Sequence, residues 1–194
     1  MNANIKTAPA LRQAILLRKL FAFDPDATEL FDNATIVESG IDGRIKQLAE
    51  SVVKRVHDMN ELYASSHGED LFKPTNKTVQ ANARMSKPIR NLAEYKTFIE
   101  DMYFLFHEGV GRRLDGITPV SFTNVNELRT DVEHDVDHGG ASKAGAKRKK
   151  LGATFQKYAG GQTPNTLAPE RFRVLQANLL AEIEADLLTL KVPA

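Results

Sequence analysis

Cysteine is absent from this 194-residue chain. That excludes disulfides, thiolate metal sites and cysteine nucleophiles, and it suits a cytoplasmic protein. Long apolar runs are missing as well: none approaches the ~18–20 residues of a membrane span, so no membrane partner is expected. No stretch shows strand-like alternation of apolar and polar residues, and no internal repeat occurs. The sequence contains no G-x-S-x-G, G-x-x-x-x-G-K-[ST] or G-x-G-x-x-G, which removes the serine-hydrolase, P-loop and dinucleotide-binding readings.

Acidic residues are missing from three particular segments. Residues 1–23 hold four basic groups, 71–93 five and 139–169 six, and none of the three contains Asp or Glu. All 25 acids therefore lie elsewhere, although the net charge is only +1. Basic blocks on an acidic scaffold are what an anion-binding surface requires, and solvated basic loops would have the same composition. The first block has the composition of a transit peptide as well as that of an ordinary amphipathic first helix.

What is present is helical periodicity. Ile41, Ile45, Leu48, Val52, Val56, Met59 and Tyr63 follow a 3.6-residue period and predict a helix over 41–64. Asn91 with Glu94 three places on predicts an N-cap for a helix over 91–108, with Leu92, Tyr95, Ile99, Met102, Tyr103 and Phe106 facing the core. Pro169 opens a last helix over 169–190 along Phe172, Leu175, Leu179, Ile183, Leu187 and Leu190. Weaker patterns predict helices over 9–22 and 124–138. Residues 66–90 and 139–168 read as basic loops, with a short helix through Phe155 and Tyr158. The expectation is one all-α domain, a bundle of about five helices.

Titratable side chains concentrate in Leu128–Gly139, which holds two of the five histidines, four carboxylates and an arginine. On a helix, Val125, Leu128, Val132 and Val136 form an inward stripe. Glu127, Asp131, His134 and His138 fall within roughly 60° of one another on another side. Arg129 lies at the edge of the stripe, about 140° from His134.

Arg129 followed by His134, an Arg-x4-His pair late in an all-α domain of this size, resembles the motif of the HEPN superfamily, the higher eukaryote and prokaryote nucleotide-binding domains. The resemblance covers the motif and the helical layout. It implies a metal-independent endoribonuclease with no cofactor, of the kind found in toxins and defence systems. Arg129 and His134 would be catalytic, with Thr130, Asp131 and His138 in support. It also implies a homodimer through the helix 124–138, which would gather two Arg and two His around one cleft, and a partner such as an antitoxin. Members commonly have Asn, Asp or His directly after the arginine, where this chain has Thr130.

The chemistry is coherent without the resemblance. Metal-free RNA cleavage needs a base at the 2′-hydroxyl and a cation where phosphate charge grows. Lys73, Lys77, Arg84 and Lys87 in one basic segment, and Lys143, Lys147, Arg148, Lys149 and Lys150 in another, could hold the RNA backbone. Two other readings remain. His134-Asp-Val-Asp-His138 looks like the two-metal stretch of cyclic-nucleotide phosphodiesterases, though Gly139 and Lys143 stand where that family has proline and asparagine. His57-Asp58 and His107-Glu108 could supply further ligands, and a mononuclear site from Asp131, His134 and His138 is the simpler variant. The third reading is a non-catalytic interaction module with these groups as a polar face.

Overall fold

The computed structural model describes residues 34–114, 116–133, 141–160 and 164–191, and for 34–39, 131, 133 and 141–148 only the backbone. Six α-helices and no strand occur among them: α1 Ala34–His67, α2 Asn76–Arg84, α3 Leu92–Tyr103, α4 Val120–Glu133, α5 Ala141–Ala159 and α6 Pro169–Thr189. The protein is an all-α bundle. No helix among the described residues is long and apolar enough to cross a membrane. The expected helix over 9–22 lies outside the described residues.

The strongest sequence pattern builds the longest element. All seven apolar residues of the stripe in α1 are buried, from Ile41 to Tyr63. The helix spans 34 residues, about 50 Å. It packs chiefly on α6, which is more enclosed than a one-sided stripe suggests: Phe172, Arg173, Val174, Leu175, Gln176 and Ala177 are buried in succession. Over this run the helix is enclosed on all sides, as at the centre of a bundle, while Leu188 in its last turn is exposed.

Burying Gln176 requires partners, and it has them. Its Nε2 donates to the carbonyls of Met85 and Lys87, each at 3.0 Å, and its Oε1 accepts from Ile89 N at 3.0 Å. One side chain thus ties the irregular segment before α3 to the central helix. Asn91 caps α3 as expected, accepting from Glu94 N at 2.9 Å, while the Glu94 carboxylate reaches one residue further back, to Arg90 N at 2.6 Å.

Each of the two expected basic loops contains a helix. Residues 66–90 contain α2, opened by a reciprocal cap in which Thr78 N donates to Thr75 Oγ1 at 3.2 Å and Thr75 N donates to Thr78 Oγ1 at 2.7 Å. Such a cap stabilises a helix by about 1 kcal/mol. Residues 139–168 contain the nineteen-residue α5. It docks through Leu151, Thr154, Phe155, Tyr158 and Ala159, all buried. Tyr95 joins the layers: its ring lies 5.9 Å from both Phe155 of α5 and Phe172 of α6.

α4 starts at Val120, four residues before the sequence pattern, because Asp186 of α6 accepts from Ser121 N at 2.8 Å. A carboxylate at a helix N-terminus satisfies a free donor and opposes the positive end of the dipole. Phe122, Val125 and Leu128 are buried and Val132 packs at the core's edge, as the inward stripe requires, while its last member, Val136, lies outside the described residues.

Candidate functional site

After Tyr103 the α-helical ladder widens into a π-turn over Phe104–Glu108, closed by Gly109 N donating to Phe104 O at 2.8 Å. Only glycine fits there: a Cβ at 109 would lie 2.7 Å from Leu105 O and 2.8 Å from Phe104 O. Arg113 fastens the end of the turn, with Nη1 donating to the carbonyls of Gly109 at 2.9 Å, Val110 at 3.1 Å and Leu71 at 3.3 Å. Lys73 N donates to Gly109 O at 2.9 Å, which brings the start of the 71–93 basic segment alongside. A π-turn re-aims the side chains that follow it, and such turns occur often at functional sites.

The re-aimed surface is aromatic and cationic. The exposed His107 ring stacks on Tyr103, with centroids 4.8 Å apart and planes 16° apart. Arg129 of α4 places its guanidinium carbon 4.3 Å from the centroid of the same Tyr103 ring. The two groups are therefore no farther apart than these two distances together. Lys77 of α2 lies 4.2 Å from the Phe104 ring. The Nε of Arg129 is closed off from solvent without a hydrogen-bond partner, and no carboxylate neutralises the side chain among the described residues. Stacking of a guanidinium on a tyrosine contributes about 0.5–2 kcal/mol, rising with desolvation.

The other flank of α4 is neutralised. Glu127, two residues before Arg129 and about 200° round the helix, points at α5. There Lys150 Nζ lies 2.6 Å from Glu127 Oε1, and Thr154 Oγ1 donates to Oε2 at 2.5 Å. One turn along α5, Tyr158 donates its hydroxyl to Glu182 of α6 and accepts from Asn124 Nδ2 at 2.7 Å. Burial first, and then the Glu182 hydrogen bond, push the Tyr158 pKa far above that of a free tyrosine. Lys157 completes the group, 2.5 Å from Glu182 Oε1.

Of the catalytic pair from the sequence, Arg129 sits at this surface, while His134 lies outside the described residues. So do His138 and the side chain of Asp131. Thr130 is used by its own helix, donating from Oγ1 to Asn126 O at 2.7 Å. The basic candidates divide. Arg84 forms a two-pronged pair with the buried Asp101, Nε to Oδ2 at 2.9 Å and Nη2 to Oδ1 at 2.6 Å. That hydrogen bond raises its pKa further. Lys150 is held by Glu127, whereas Lys73, Lys77, Lys87 and Lys149 are exposed. Lys143, Lys147 and Arg148 lie on the backbone of α5, and their side chains are outside the described residues. No cluster of three or more His, Asp or Glu able to hold a metal occurs among the described residues, which exclude 134–138.

Sequence reasoning considered His107 only as a metal ligand and placed Tyr103 in the core. The signal for their joint role was their i, i+4 spacing on one helix face, 26 residues before Arg129. Compared with known protein families, with curated proteins and with solved structures, the chain matches none.

Proposed function

We propose that this protein is an RNA-binding helical domain and a metal-independent endoribonuclease of the HEPN kind, with Arg129 as the phosphate-binding group. One observation carries the reading: Arg129 is held against the same Tyr103 ring on which His107 stacks, with no carboxylate among the described residues to neutralise it. Arginines in structural roles are normally paired, as Arg84 is with the buried Asp101. An arginine held by an aromatic face instead keeps its fork for phosphate. His134 supplies the acid–base imidazole if the Arg-x4-His motif operates, with His107 as a second imidazole at the same surface. The 2′-hydroxyl attacks the adjacent phosphorus, the 5′-oxygen leaves, and a 2′,3′-cyclic phosphate results. The exposed Lys73 and Lys77, with the basic half of α5, hold the strand. A homodimer across α4 would double the Arg129 and His134 set, and the protein would work in the cytoplasm, with a toxin or defence role and an inhibitory partner following from the same resemblance.

The test is RNA cleavage by purified protein in EDTA. The expected result is cleavage of RNA but not DNA, a 2′,3′-cyclic phosphate product, and loss of activity in Arg129→Ala and His134→Ala. Inhibition by EDTA, with His138 as essential as His134, would replace this reading by the metal phosphohydrolase. The bonding of Thr130 to its own helix favours a second reading, a non-catalytic adaptor that binds RNA through the same arginine. Salt-dependent RNA binding without cleavage would identify it.

A further inference from the structure

Beyond His107, residues within 109–114 and 116–118 border a pocket of about 460 Å³ between the π-turn and the start of α4. That volume lies within the roughly 300–1,000 Å³ of pockets that accept small organic ligands. Its floor is apolar and aromatic: Phe106 and Phe122 are buried with ring centroids 5.1 Å apart, and Val110 and Leu114 are buried beside them. Its mouth is polar and cationic, with His107, Arg112 and Thr118 all exposed. Arg113 is committed to three carbonyls and to Glu69 at 3.3 Å, so the cation presented at the mouth is its neighbour Arg112. Gly116, at φ 80°, holds the turn in a backbone region that other residues rarely adopt, with open space on its Cβ side.

We infer that this pocket receives one unpaired nucleobase of the RNA strand whose phosphate lies at His107 and Arg129. A flat, weakly polar ring suits an apolar pocket of this volume, and unpaired RNA bases are commonly read by hydrogen bonds to their edges. The sugar-phosphate leaving such a ring passes His107, which belongs both to the pocket wall and to the Tyr103 stack. Arg112 then meets a neighbouring phosphate. The exposed Ile117 is explained in the same way, as an apolar lip that a bound base covers. The inference rests on the RNA reading, and it makes the π-turn the element that joins base recognition to phosphate binding.

The experiment is an NMR titration of the full chain with adenosine 3′-monophosphate and uridine 3′-monophosphate, with ribose 5-phosphate as the probe lacking a base. The expected result is movement of the Val110, Leu114 and Ile117 methyl signals and of the His107 ring with at least one mononucleotide. Ribose 5-phosphate should leave the methyls in place. Thr118→Trp, an exposed position where added bulk closes the mouth without touching the core, should weaken the mononucleotide tenfold or more. Arg112→Ala should weaken it severalfold. Methyl signals unmoved by either mononucleotide, or affinity unchanged in Thr118→Trp, would overturn the pocket. An RNA oligonucleotide bound equally by wild type and Thr118→Trp but lost in Arg129→Ala would overturn the pocket while leaving the Arg129 reading intact. If wild type binds no RNA at all, the Arg129 reading fails and the mononucleotide titration still decides the pocket.

Discussion

The two flanks of α4 carry charges of opposite sign and opposite fate. On one, Glu127 is 12% exposed in its side chain and satisfied by Lys150 and Thr154. On the other, Arg129 leans on Tyr103, and no described carboxylate reaches it. The same helix thus uses charge to attach α5 and keeps charge in reserve beside the π-turn. Crowding of titratable residues in a sequence therefore does not itself mark a site. A charge that the fold has already neutralised is mortar, and one without a counter-ion among the described residues is the better candidate for a ligand.

The largest expected effect belongs to neither flank but to the face between them. Leu128 is fully buried, and Leu128→Asp would place an unpaired carboxylate in the core. The cost, several kcal/mol, is comparable to the whole stability of a typical domain. Circular dichroism of the variant should show no cooperative unfolding transition, and native-like melting would refute the placement of α4. On the neutralised flank, Glu127→Ala leaves Thr154 and Lys150 without their acceptor and should cost about 1–3 kcal/mol in denaturant unfolding. Because Lys150 is 69% exposed, most of the loss should come from Thr154 and should change little with salt.

The same flank has an alkaline limit. Tyr158 is neutral in the fold with its pKa raised, whereas an unfolded tyrosine ionises near about pH 10. Its contribution is complete below that pH and is lost progressively above it, as the unfolded chain alone gives up the proton. Thermal melts at rising pH should therefore show stability falling from about pH 10 upward. Tyr158→Phe should flatten that fall while lowering stability at neutral pH, because Asn124 and Glu182 lose a partner. On the open flank the stability effect should be the smallest: Arg129→Ala removes a stacking contact worth about 0.5–2 kcal/mol at a partly buried site. A larger loss would mean that Arg129 is itself mortar.

Much of this arrangement was legible in the sequence, and the rest was hidden for definable reasons. α1, α3 and α6 follow apolar periods long enough to be read directly. α2 escaped because it buries only Thr78 and Ala81 and because its cap pairs two threonines, without the usual Glu or Gln at the third position. Only the end of α5 was read, as a short helix through Phe155 and Tyr158; its first half escaped because its first ten residues are Ala, Ser, Gly, Lys and Arg, with no apolar residue larger than alanine before Leu151. The π-turn has no spacing signature, since Phe104, Leu105 and Phe106 continue an apolar run whichever ladder they join. Arg129 was placed correctly at the edge of the stripe, yet its partner Tyr103 comes from another helix, and a single helix's spacing cannot reveal it. Glu127 was assigned to a polar face, and only the existence of α5 shows that this face is covered.

The account is tested most directly by comparing the two flanks in one assay: RNA cleavage in EDTA by Arg129→Ala and by Glu127→Ala, each corrected for its folded fraction. Loss of an essential transition-state contact costs on the order of 10²–10⁴-fold in rate. Arg129→Ala should lose at least the lower figure while melting almost as wild type does, and Glu127→Ala should cleave at the wild-type rate per folded molecule despite its lower stability. Full activity in Arg129→Ala, or a loss confined to Glu127→Ala, would contradict the claim that the unneutralised flank of α4 is the working one.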